Sequence, residues 1–210
     1  MTARSIPPYE RSGGSCRPLG LPMCQNRLAV PTWSYAMEIY PPARIIEIGT
    51  YSGGFTIGIA IHARQIGAHV VSFDRNRPDE TLTDLARVLA IEFRRGDTWE
   101  LENDIAQLIA APGVSYLLCD GGDKRRELAT FARHLKPGDV IAAHDYAADD
   151  GTGNETTWWG WSEIQKRDGD AVALACDLEP WLQDHFDTAA WLAYRRRPRD
   201  ESLGAPDQSR

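Results

Sequence analysis

Arg44-Ile45-Ile46-Glu47-Ile48-Gly49-Thr50-Tyr51-Ser52-Gly53-Gly54 is the stretch that decides the fold. It reads as a buried strand, then a glycine-punctuated turn, then the start of a helix. Such a turn leaves backbone N–H groups at a helix start, where a ligand can reach them. Glu47 puts a carboxylate near the end of the strand, so the turn is not purely an anion trap. The glycines are spaced G-x-x-x-G-G rather than G-x-G-x-x-G. A nicotinamide-dependent oxidoreductase needs the second pattern after its first strand, so the spacing argues against a dinucleotide.

On either side of this stretch, strands and helices alternate. Strands are expected at 44–49, 69–74, 92–96, 114–120 and 139–144, each closing on or near a polar residue. Between them, apolar residues recur at helical period, as in Leu82, Leu85, Ala86 and Leu89, or in Leu128, Phe131, Ala132 and Leu135. Leu101, Ile105, Leu108 and Ile109 form a third stripe. This alternation predicts an α/β fold, with a parallel sheet and helices on both faces. Residues 21–40 are read as a lead-in helix stopped by Pro41-Pro42. After Tyr146 comes a polar loop with Gly151 and Gly153, then Trp158, Trp159 and Trp161 and a short helix to about Arg167. Two final strand-like runs, near 171–176 and 188–196, predict a terminal hairpin, which is unusual for a dinucleotide-binding sheet.

The chain has 210 residues, 42% hydrophobic and 25% charged, enough for one globular domain with a sizeable core. Residues 1–20 read as a flexible arm, 21–197 as a single domain and 198–210 as a disordered tail. The net charge of -7 offers no general attraction to nucleic acid or to an anionic membrane. Arg195-Arg196-Arg197 reads as a solvated strand end. The four cysteines show no C-x-x-C spacing, no apolar run approaches the roughly 18 residues of a membrane span, and the N-terminus has no signal-peptide core. A cytoplasmic protein with reduced thiols is expected.

In an open parallel sheet, ligands bind beyond the carboxyl ends of the strands. Glu47 could hold an ammonium group, and the turn N–H groups a carboxylate, as the amino-acid end of a methionine-type cofactor requires. Asp74 closes the second strand, where an acid can accept two ribose hydroxyls. Asp97 and Thr98 follow the third strand; Asp97 could reach an adenine amino group or cap the helix that begins near Trp99. The donor site is therefore expected at Glu47, Gly49, Thr50, Tyr51, Gly53, Asp74, Arg75, Asp97, Thr98 and Asp120. Adjacent fourth and fifth strands would bring Asp120 together with Asp145, with His144 beside them. That trio can form a divalent metal site, or else two helix-capping acids and a strand-end histidine. A metal there would lower the pKa of a substrate oxygen, and Lys124 or His144 could take the proton. The tryptophans could roof a substrate pocket or pack the last helix onto the sheet.

Taken together, Ile46-Glu47-Ile48-Gly49 with Gly53-Gly54, then Asp74, then Asp120, resemble the class I S-adenosylmethionine-dependent methyltransferases. Within that class the chain is most similar to the cephalosporin hydroxylase-like and rhamnosyl O-methyltransferase group. The resemblance implies a Rossmann-like sheet of seven strands, mostly parallel, with an antiparallel terminal hairpin. It also implies S-adenosylmethionine as cofactor and transfer to a hydroxyl of a small molecule such as a sugar or natural product. Metal-dependent relatives imply metal ligands at Asp120, His144 and Asp145 and catalytic roles for Lys124, His144 and Asp145. Here His144 stands where those relatives carry an acid, which favours a transition metal over magnesium. Alternatives are a metal-independent N- or C-methyltransferase of the same fold and a noncatalytic S-adenosylmethionine-binding protein. The apolar lead-in segment could also serve a homo-oligomer interface.

Overall fold

Five parallel strands form the centre of the sheet: β1 (Arg44–Ile48), β2 (His69–Asp74), β3 (Ile91–Arg95), β4 (Ser115–Cys119) and β5 (Val140–His144). The computed structural model describes residues 17–147 and 163–198. Most of the expected arm and tail, the loop glycines Gly151 and Gly153, and the tryptophans Trp158, Trp159 and Trp161 lie outside the described residues.

The helices are α1 (Ala29–Ile39), α2 (Gly54–Ile66), α3 (Glu80–Leu89), α4 (Glu102–Ala110), α5 (Lys124–Phe131), α6 (Lys166–Ala175) and α7 (Gln183–Asp187). Two short strands, β6 (Tyr146–Ala147) and β7 (Ile164–Gln165), pair with each other, and β8 (Leu178–Pro180) and β9 (Trp191–Arg196) extend the main sheet. The strand order is β3-β2-β1-β4-β5-β9-β8. β9 runs antiparallel to both of its neighbours, so the sheet is the expected seven-stranded, mostly parallel one. Among the described residues no helix is long and apolar enough to cross a membrane.

Alternation along each strand feeds two cores. Ile45, Val70, Leu118 and Ala142 face the side covered by Trp33, Met37 and Phe55. Ile46, Val71, Leu117 and Ile141 face the side covered by Ile105, Leu128 and Phe131. The Tyr116 hydroxyl, from β4, donates to the carbonyls of Ala36 and Tyr40 and ties the end of α1 to the sheet. Arg195, in the basic run, pairs with Glu179 on the neighbouring β8.

The structure corrects two expectations. Residues 21–28 are not helical: α1 starts only at Ala29, because the Asn26 side chain accepts the Leu28 N–H at 2.8 Å and its carbonyl the Ala29 N–H at 2.9 Å. Residues 171–175 belong to α6, not to a strand. A capping box of Gln165 and Asp168 starts that helix, and its alanine-rich second half has high helix propensity. Asp177, with φ of 51°, turns the chain out of it, and the strand follows at Leu178. The antiparallel β8–β9 pair is present, with α7 in its connection.

Gly49 holds the sheet's central seam. Its φ is +97°, and a Cβ there would lie 2.2 Å from the carbonyl oxygen of Asp120. Only glycine lets the end of β1 come this close to the residue that follows β4. Beneath the turn, Glu47 is 1% exposed, on the α2 side of the sheet. Register places Ser72 beside it. Ser72 and Thr56 donate their hydroxyls to Oε2 of Glu47, Thr56 at 2.7 Å. Burial outweighs these bonds and pushes the Glu47 carboxyl up to about 8.

Two predictions follow from this packing. Gly49→Ala should cost more than about 3 kcal/mol, since it adds a backbone clash to strain at positive φ. Gly67→Ala, at φ +75° with nothing within 4 Å of the new Cβ, should cost only about 1–2 kcal/mol. Urea midpoints compare the two; equal costs would contradict the seam. For Glu47, the folded carboxyl titrates above its ordinary value of 4.5. The native state therefore binds the extra proton, and stability falls as pH rises from about 4.5 to about 8. Glu47→Gln should gain stability relative to the parent, by on the order of a few kcal/mol between pH 5 and pH 8. A difference that does not change with pH would show that the side chain is ionised in the fold.

Candidate active site

The glycine turn and the tip of β2 form one half of the site. Tyr51 takes a φ of 49°, and its N–H donates to Oδ2 of Asp74 at 2.8 Å. The Asn76 N–H donates to the other oxygen, Oδ1, at 2.8 Å. The Asp74 carboxylate is thus fixed between two loops at the strand end, where ribose recognition was expected. Thr50 shares a 2.6 Å hydroxyl–hydroxyl bond with Ser72, and the Gly53 N–H closes the turn on the Thr50 carbonyl at 2.9 Å. A cavity of about 330 Å³ opens beside Asp74, lined by Thr50, Tyr51, Ser72, Asn76 and Arg77 among others.

Asp97 does two things at once. Its Oδ1 accepts the Trp99 N–H at 2.9 Å, which closes a local turn and not the expected helix cap, since α4 starts only at Glu102 with no side-chain cap, and its Oδ2 pairs with Arg75 at 2.9 Å. Thr98 lies half-buried in the same turn. Trp99 stacks parallel to Phe131 and carries the Arg126 guanidinium 3.7 Å from its ring centre, so the loop after β3 is packed onto α5.

The other half lies one strand further along. Cys119 pairs in register with Ala143, so the next residues, Asp120 and His144, leave their strands side by side. His144 Nδ1 is 3.0 Å from Oδ1 of Asp120 and 3.2 Å from Oδ1 of Asp145. Asp145 has a φ of 58°, a left-handed turn that brings its carboxylate back beside His144. Candidate ligand atoms of Asp120, His144 and Asp145 all lie within 4.8 Å of one another, and the two fifth-strand residues are buried. Oδ1 of Asp145 is buried without a hydrogen-bond partner, because its approach to His144 lacks hydrogen-bond geometry. Two carboxylates, one of them with an unsatisfied buried oxygen, and an imidazole fit a divalent cation.

Lys124 sits against this group, 6% exposed. Its ammonium is 2.8 Å from Oδ2 of Asp145, 2.9 Å from Oε2 of Glu163 and 3.8 Å from Oδ1 of Asp120, and it donates to the Gly121 carbonyl at 3.0 Å. Burial alone would lower its pKa. The Asp120 and Asp145 carboxylates, with hydrogen bonds to Asp145 and Glu163, outweigh burial and hold the ammonium protonated well above its ordinary range. Lys124 in this arrangement is therefore a poor proton acceptor. It is a cation set among the acids, and of the two expected bases only His144 is left for that task.

The structure joins the expected residues into two adjoining groups: Glu47 to Gly53 with Asp74, and Asp120 with Lys124, His144 and Asp145. It also adds three residues that sequence reading missed. Glu127 is 1% exposed and accepts the N–H groups of Gly121 and Asp123 at 3.2 and 3.3 Å, so it shapes the loop that carries Asp120. Burial pushes its carboxyl up to about 7. A signal was available, since Lys124, Glu127, Leu128 and Phe131 fall on one helical stripe and all are buried. Glu163 and Gln25 carried no such signal. Gln25 lies 95 residues from Asp120 in sequence and donates its Nε2 hydrogen to Oδ2 of that residue.

These findings agree with comparisons against known proteins. A family model described as a methyltransferase domain matches residues 24–173. Comparison with curated protein sequences gives no match. Among solved structures, an apo structure of CmcI is similar, with a TM-score of 0.62 at 17% identity, covering 93% of this chain and 81% of that one. A CmcI structure with Mg and SAM gives 0.60 at 16%, with the same coverage of 93% and 81%. An O-methyltransferase family protein from Burkholderia thailandensis gives 0.52 at 14%, covering 82% of this chain and 56% of that one. At these identities the likeness to CmcI is one of fold. With its seven-stranded sheet and a family match over most of its length, the chain belongs to the methyltransferase domain family, in the class I S-adenosylmethionine-dependent fold.

Proposed function

We propose that this protein transfers the methyl group of S-adenosylmethionine to a hydroxyl of a small molecule, with a divalent cation held by Asp120, His144 and Asp145. The observation that carries this reading is the Asp–His–Asp group, half-buried at Asp120 and buried at His144 and Asp145, with its unpartnered oxygen, one strand from the glycine turn. The CmcI structure that holds Mg and SAM on the same fold supports it.

The sulfonium methyl is already reactive, so the chain's task is alignment and proton management. The turn from Gly49 to Gly53 would seat the amino-acid end of the donor, and Asp74 would take the ribose hydroxyls. When bound, the cation would orient the acceptor oxygen and lower its pKa. His144 would be a ligand when the cation is bound; in the metal-independent reading, paired with Asp120 and Asp145, it is the residue placed to take up the released proton, and Lys124 offsets part of the charge of the acids. One observation favours the runner-up, a metal-independent transfer to nitrogen or carbon: the Lys124 ammonium already supplies a positive charge within 2.8 Å of Asp145.

Calorimetry should show binding of S-adenosylhomocysteine and none of NAD. Asp74→Ala should weaken that binding by about 1.5–3 kcal/mol, or roughly ten- to a hundredfold. Methyl transfer from labelled S-adenosylmethionine to a panel of sugars and phenols should fall to background after EDTA treatment and return with Mg²⁺ or Mn²⁺. Undiminished transfer after EDTA would select the metal-independent reading, and NAD binding in place of S-adenosylhomocysteine would overturn the donor.

A further inference from the structure

The lead-in segment before α1 runs over the top of the sheet from the donor turn to the acid group. Leu21 and Met23 are buried at 5% and 2% exposure. Between them the Pro22 carbonyl accepts the Gly54 N–H at 3.2 Å and the Ser52 hydroxyl at 3.0 Å. A Cβ on Gly54 would lie 2.2 Å from that carbonyl, so the segment rests directly on the start of α2. Further on, the Asn26 side chain donates to the Thr188 carbonyl at 3.1 Å, beside β9. Gln25 lies between these two anchors.

Gln25 is 6% exposed. A carboxylate can only accept, so the amide must turn its NH₂ toward Asp120. Nε2 then occupies Oδ2 of Asp120, while Oδ1 is left facing His144 at 3.0 Å and Lys124 at 3.8 Å. The amide oxygen, Oε1, is buried without a hydrogen-bond partner. This is the relation by which a carboxylate ligand is oriented by a neighbouring donor.

We infer that the lead-in segment is part of the active site and that Gln25 is a positioning residue, holding one oxygen of Asp120 so that the other is presented to the cation. The inference rests on the metal-assisted reading above. Its buried amide oxygen gives the site one more acceptor, suited to the hydroxyl of an incoming acceptor or to a water that it displaces.

The test uses Mn²⁺ alone and S-adenosylhomocysteine alone as probes on the full chain. Gln25→Met keeps the length of the side chain and removes its donor. Mn²⁺ affinity should fall about 10- to 100-fold, as it does when a ligand's hydrogen-bond partner is removed, while S-adenosylhomocysteine affinity stays within about twofold. A merely structural role would loosen the whole segment, including Pro22 on the glycine turn, so both affinities would fall together; that result overturns the inference, as does unchanged Mn²⁺ affinity. Absence of Mn²⁺ binding by the parent chain would overturn the metal reading itself and this inference with it. If Gln25→Met does not fold, Gln25→Asn, one methylene too short to reach Asp120, carries the same comparison.

Discussion

The approach of Gly49 to the Asp120 carbonyl is the constraint on which the rest of the structure depends. The ends of β1 and β4 meet with no room for a side chain between them. The residues that would hold the methyl donor leave from one side of that contact, and the acids that would receive the acceptor leave from the other. No flexible connection separates the two halves, because the Gly49 N–H also bonds back to Phe73 and the Asp120 N–H to Ile48. The relative placement of the two halves is therefore set by backbone packing in the sheet, which suits a transfer that rests on alignment.

Around the acids, charge is handled by enclosure. Lys124, Asp145 and His144 are all nearly inaccessible, and a buried charge is tolerated only with close partners. The lysine meets three carboxylates, and the aromatic ring of Trp191 lies 5.0 Å from the His144 ring on the sheet side. Removing Lys124 would leave the acids without their cation, and because the members touch one another their effects should not add.

Much of this was legible in the sequence. Isoleucines with a glycine spacing identify the first strand and turn, and acids at successive strand ends mark both halves of the candidate site, because strand-end positions are set by local periodicity. What was not legible has physical reasons. Residues 171–175 look like a strand by apolar content, yet a capping box several residues earlier commits them to a helix, and local capping outweighs short-range composition. Residues 21–28 look helical by apolar content, yet Pro22 is tied to the start of α2 and Asn26 closes a turn just before Ala29. Gln25 was invisible because a contact between positions 95 residues apart is made by tertiary packing, which no spacing rule encodes. Lys124 was read as a base from its residue type; only its three carboxylate neighbours reveal that it stays charged.

The short pairing of β6 with β7 has a wider consequence. Tyr146 and Ile164 are held level, and the Glu163 N–H bonds to the Asp145 carbonyl at 3.0 Å, so the chain between them leaves and re-enters at a closed base beside the acids. The entropy of joining those two points is already met by the pairing, and lengthening such a connection costs little more.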